Sequence, residues 1–162
     1  LNHLDLRKQS WETFHEETIL GAASFWEAGI VLSAFAYPYG FSEPWMHEVL
    51  LQTYPVLRGY GVTFRLYDSG GISSAHIISK AVDNTVIKGE ENFDRLVGVM
   101  LRTAGFLDMV LPLTSHDISD DALWGITPRR LEYLLKTALD LQLRFYVYRD
   151  FAGDLRASPF TR

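Results

Sequence analysis

Segments with helical spacing of apolar residues alternate with short apolar runs closed by proline or glycine, and this alternation restricts the fold more than any other feature of the sequence. From the amino end the order is helix, strand, helix, a stretch of weak signal, helix, strand, helix, strand. Strands separated by helices pair in parallel through crossovers, which implies an α/β fold, either a barrel or a layered sheet.

The individual segments follow from local chemistry. Ser10 is placed to cap a helix over 11–28 whose apolar positions include Phe14, Ile19, Leu20 and Phe25, with Gly29 as its stop. A buried strand is expected over 30–40, carrying Ile30, Val31, Leu32 and Phe35 and closed by Pro38 and Gly40. Ser42 and Pro44 open a second helix with Trp45, Val49 and Leu50 on one face. The stretch from Tyr54 to Lys88 holds one or two strands and a Gly- and Ser-rich loop, "DSGGISS". A helix then carries Phe93, Leu96, Val97, Met100 and Leu101 and is expected to end at Gly105. "FLDMVLPLTSH" reads as a strand. Thr127 and Pro128 start a further helix, and "RFYVYRDF" reads as a last strand. No linker or repeat divides the chain, so one domain over 1–162 is expected.

Composition narrows the function classes. A chain of 162 residues that is 48% hydrophobic can bury a real core. A formal charge of −5, with lysines and arginines scattered, offers no basic field for nucleic acid. No apolar run approaches the roughly 18 residues of a membrane span. The absence of cysteine removes disulfides and thiolate metal sites.

In parallel α/β folds the working residues gather where strands exit into loops. Two exits carry polar groups, "FAYPYG" at 35–40 and "LTSHD" at 113–117, and "NHLD" at 2–5 precedes the first helix. Tyr37, Pro38, Tyr39 and Gly40 have the composition of a turn; as a functional loop they would aim a backbone N–H at a developing oxyanion. His116 is an acid–base candidate and His3 a single candidate metal ligand. His15, His47 and His76 have no partner at metal spacing and read as surface or loop residues. Trp11, Trp26 and Trp45 read as packing, whereas Trp124, in the loop after His116, is a candidate sugar-stacking residue.

Taken in order, three segments resemble the carboxyl-terminal portion of the polysaccharide deacetylases, the NodB-homology or carbohydrate esterase family 4 group. "NHLDLRKQSWETFHEETI" resembles the second histidine motif with its helix, "FAYPYG" the Arg-x-Pro-Tyr loop, and "LTSHDIS" with "ITPRRLEYLLKTALDLQLRFYVYRD" the closing histidine motif, helix and strand. The resemblance implies a distorted (β/α) barrel, TIM-like in plan, and a hydrolase that removes acetyl groups from N- or O-acetylated polysaccharide with a divalent metal, usually zinc. It makes His3 a metal ligand, His116 the general acid and the Tyr39 N–H an oxyanion donor. Tyr37, Pro38 and Trp124 would face substrate, and the compartment would be extracytoplasmic.

Two departures qualify the likeness. The loop arginine falls at Ala36, so Arg58 is the candidate substitute, and no aspartate–tryptophan motif can be placed near Asp68. The family's catalytic aspartates and first metal histidine would lie upstream of Leu1, so the chain is expected to be an incomplete domain, inactive alone. Two other readings stay open. One is a catalytically inactive carbohydrate-binding or assembly protein on the same scaffold; the other is a different α/β hydrolase or amidohydrolase using His116 with Asp117.

Overall fold

A computed structural model describes residues 2–68, 76–121 and 123–152. Ser10 acts as expected: its Oγ accepts the Thr13 N–H at 3.2 Å, satisfying one of the donors that a helix start leaves open. Helix α1 (Trp11–His15) continues through a π-helical turn (Glu16–Leu20) into α2 (Gly21–Glu27), and Gly29 follows at φ 75°. Strand β1 is only Ala34–Ala36. Its ladder begins where Ala34 meets Val56, so the expected strand loses its first residues, and Ile30 and Val31 are exposed rather than buried.

Helix α3 (Pro44–Leu50) starts at the proline, as the missing N–H favours. Its cap position is Glu43, not Ser42; the Ser42 hydroxyl is engaged instead with His47 Nε2 at 2.8 Å. The stretch of weak signal supplies two strands, β2 (Val56–Gly61) and β3 (His76–Ala81). Beyond Asp68, the "DSGGISS" loop lies outside the described residues.

Helix α4 (Glu90–Leu107) runs past Gly105 and ends at Asp108, which takes the left-handed φ of 52°. Gly105 is there for proximity rather than termination, since a Cβ on it would stand 3.0 Å from Leu143 Cδ2. Phe106 and Leu107 therefore belong to the helix, and strand β4 shrinks to Leu113–Thr114. Helix α5 (Pro128–Asp140) has the expected Thr127 cap, whose Oγ1 accepts the Arg130 N–H at 3.2 Å. The expected last strand does not form. Among the described residues it joins no ladder, Phe145 and Val147 are exposed, and Tyr148–Phe151 makes a 3-10 turn. Apolar content alone could not stand in for a sheet partner there.

The fold is α/β, with a four-stranded parallel sheet in the order β1-β2-β3-β4. Each strand lies beside its predecessor in sequence, and a helix fills the connection from β1 to β2 and from β3 to β4. The chain forms two compact units. Of the described residues, unit one contains 2–59, 76–77 and 147–152, and unit two contains 60–68, 78–121 and 123–146. Each has its own apolar centre. In unit one Leu6, Phe14, Tyr37, Met46, Leu50 and Leu57 are buried together. In unit two Phe93, Val97 and Met100 of α4 meet Leu134 and Ala138 of α5 with Val82, Ile87 and Ile126. Each large apolar side chain so buried contributes about 1.5–3 kcal/mol.

Unit two also buries a charge. The Arg130 guanidinium donates to Glu90 Oε1 at 2.6 Å, the Ile87 carbonyl at 2.8 Å and Asn84 Oδ1 at 3.1 Å, and its carbon lies 4.8 Å from the centre of the Phe93 ring. Such pairing is what makes a buried cation tolerable.

Candidate functional site

The register of β3 and β4 decides what stands beside His116. Ala81 pairs with Thr114, and the Val82 N–H donates to the Thr114 carbonyl at 3.0 Å. Two residues further along each chain, on the same side of the ladder, come Asp83 and His116. Asp83 is 0% exposed and accepts three hydrogen bonds. The Ser115 hydroxyl donates to its Oδ1 at 2.8 Å and the His116 backbone N–H to the same oxygen at 3.1 Å; His116 Nδ1 meets Oδ2 at 2.9 Å. A carboxylate can only accept, so Nδ1 carries the hydrogen and Nε2 is the atom left for chemistry.

The His116 side chain is 48% exposed while its carboxylate partner is wholly enclosed. Two aromatic rings stand at steep angles to the imidazole. Tyr60 of β2 is 6.1 Å away between ring centres at 89°, and Trp124 is 6.0 Å away at 67°. Trp124 is itself 53% exposed. Asp117, the carboxylate next in sequence, is occupied elsewhere: its Oδ1 accepts the Ile118 N–H at 2.8 Å. The partner of His116 is therefore 33 positions upstream rather than adjacent.

Unit one holds the other sequence candidates. Pro38 opens a 3-10 turn, Pro38–Gly40, in which Tyr39 adopts φ 57° and Gly40 φ 73°. The positive φ at Gly40 follows from its residue type; that at Tyr39 does not, and non-glycine residues held there are enriched at functional loops. The His3 ring packs on Tyr39 at 4.5 Å between centres. Arg58 pairs in register with Ala36, and its carbonyl accepts the Tyr37 N–H at 2.9 Å. Registered residues of parallel neighbours project from the same face, so Arg58 stands beside the position where the resemblance puts an arginine.

Tyr37, expected to face substrate, is a core residue at 2% exposure whose hydroxyl has no hydrogen-bond partner; burial pushes its ionisation well above the usual phenol range. His47 and His76, read from sequence as surface or loop residues, stack with ring centres 4.0 Å apart, and Tyr37 lies 5.6 and 5.5 Å from them. Burial holds His47 below the usual imidazole range. Trp11 is exposed, yet its ring contacts Phe14 at 5.7 Å and Trp45 at 6.0 Å.

The residues missed in the sequence are Asp83 and Tyr60. Asp83 had one visible signal, a carboxylate ending the apolar run "HIISKAV" where a parallel strand exits. Among the described residues no group of three or more His, Cys, Asp or Glu side chains is placed to hold a metal. They thus do not furnish the zinc set that the resemblance implies, and His3 offers one nitrogen. Among them, too, no helix is long and apolar enough to cross a membrane. No family model, curated protein or solved structure matches the chain.

Proposed function

We propose that the protein belongs to a hydrolytic system acting on acetylated polysaccharide, with His116 as the acid–base group and Asp83 as the carboxylate that orients it. The observation that carries this reading is the buried Asp83, whose Oδ2 lies 2.9 Å from Nδ1 of a half-exposed imidazole where two parallel strands end. Such a pair fixes the tautomer and stabilises the imidazolium formed when the ring takes a proton. As water adds to the acyl carbon, Nε2 would take one of its protons and pass it to the leaving amine nitrogen or alcohol oxygen as the bond from that atom to the acyl carbon breaks.

The choice of acetylated glycan over other acyl substrates rests on the resemblance to the NodB-type deacetylases and their distorted barrel, and an extracytoplasmic location goes with it. In that reading Asp83 takes the place of the family aspartate for which Asp68 was the only sequence candidate. The proton chemistry proposed here belongs to the chain's own residues; no step runs through a metal.

The test is acetate release from acetylated chitin oligomers and from acetylated xylan by the protein in its natural length, with His116→Ala and Asp83→Asn alongside. Release that falls about 10²–10⁴-fold in His116→Ala is expected of a general acid. Release unaffected by His116→Ala, or none from either polymer, would remove the reading.

A further inference from the structure

One hydrogen bond restrains a half-exposed imidazole against rotation about its Cβ–Cγ bond only while it lasts, so the packing around the ring decides how readily that bond opens. Asp83 supplies that one bond, to Nδ1. The Asp83 bond to the His116 backbone N–H fixes the main chain but not the ring. Further restraint on the plane comes from the rings that flank it, which among the described residues are Tyr60 and Trp124.

The two rings are not equivalent. Trp124 belongs to a loop and is more than half exposed. Tyr60 is half-buried and sits on β2. Its ring is almost perpendicular to the imidazole, at 89° and 6.1 Å, within the range in which edge-to-face aromatic contacts are favourable. We propose that Tyr60 is a positioning residue for His116: its strand-borne ring confines the imidazole to the orientation in which Nδ1–H meets Asp83, and so keeps Nε2 available to a substrate. Trp124 supplies a weaker restraint of the same kind. The inference deepens the acid–base reading of His116, but its physical content, the restraint on the ring, is measurable without any substrate.

The experiment is solvent exchange of the His116 Nδ1–H by NMR on histidine-¹⁵N-labelled protein. Asp83→Ala assigns the signal, because with no side-chain acceptor left the protected imidazole N–H should disappear in that variant. The Val82 amide, which donates to Thr114 across the β3–β4 ladder, reports whether the scaffold itself has loosened.

Wild type and Tyr60→Phe, which keeps the ring, should exchange alike. Tyr60→Leu and Tyr60→Met should exchange about two- to tenfold faster, the range expected for one lost aromatic contact, with the Val82 amide unchanged. Trp124→Leu should give a smaller acceleration. The two aliphatic variants guard against one of them failing to fold. The proposal is overturned by imidazole exchange no faster in Tyr60→Leu and Tyr60→Met than in wild type, or by Val82 accelerating in step. It is equally overturned by faster exchange in Tyr60→Phe, or by a signal that survives Asp83→Ala. A protein that releases no acetate would sink the deacetylase reading and leave this result standing.

Discussion

Two regions of the molecule occupy the same topological place, the carboxyl ends of parallel strands, and treat buried polar groups in opposite ways. In unit two Asp83 is enclosed with its carboxylate satisfied by Ser115, the His116 main chain and the His116 ring. In unit one Tyr37 is enclosed with its hydroxyl unsatisfied, beside two stacked imidazoles. A satisfied buried carboxylate rigidifies what surrounds it, whereas an orphaned hydroxyl costs stability without fixing anything. The first region is built around its polar group; the second carries a polar group in an aromatic core.

The contrast predicts stability changes of opposite sign. Asp83→Ala removes a buried, charged acceptor shared by three hydrogen bonds and should cost about 2–4 kcal/mol in denaturant unfolding. A loss below about 0.5 kcal/mol would mean that water reaches those donors, and the site would not be preorganised. Tyr37→Phe removes only the orphaned hydroxyl and should stabilise the protein by about 1 kcal/mol. A destabilisation there would show that the hydroxyl has a partner, and the difference between the two regions would vanish.

A smaller effect separates the two left-handed residues of the turn after β1. Gly40→Ala at φ 73° should cost about 1 kcal/mol, since alanine is strained there. Tyr39→Gly at φ 57° relieves backbone strain and loses the ring contact with His3. Its stability should stay within about 1 kcal/mol of wild type. Acetate release falling in Tyr39→Gly without loss of stability would mark the strain as functional.

What could be read from the sequence divides along the same line. Caps and prolines are local chemistry, so Ser10, Pro44, Thr127 and Pro128 begin their helices where expected. Strand lengths depend on partners: the runs at 30–40 and 106–116 have the composition of long strands, and only Ala34–Ala36 and Leu113–Thr114 find a ladder. His116 was visible because it closes an apolar run. Its carboxylate was not, because the β3–β4 register sets that pairing over 33 residues and the tempting neighbour, Asp117, is spent on the Ile118 amide. The stacking of His47 on His76 likewise joins a helix to a strand that sequence spacing cannot connect.

Near neutral pH, His47 makes the pH dependence of folding a probe of unit one. Burial lowers the folded-state pKa of His47, so the unfolded chain binds this proton more readily. The sign follows: His47 leaves stability intact above the unfolded value of about 6.5 and subtracts from it as pH falls from there towards the depressed folded value. The paired carboxylates weaken folding only further down. Arg7 holds Asp5 at about 2, and Asp94 is lowered by Arg129, so their contributions are lost below about pH 4. Between about pH 7 and 5 the His47→Gln variant should therefore show a shallower fall in unfolding free energy than wild type, by no more than the slope of one proton. Identical slopes would mean that the imidazole opens to solvent before it titrates, and that the stack against His76 does not constrain its charge. A steeper fall in the variant would reverse the sign and place the stabilised proton on the folded protein.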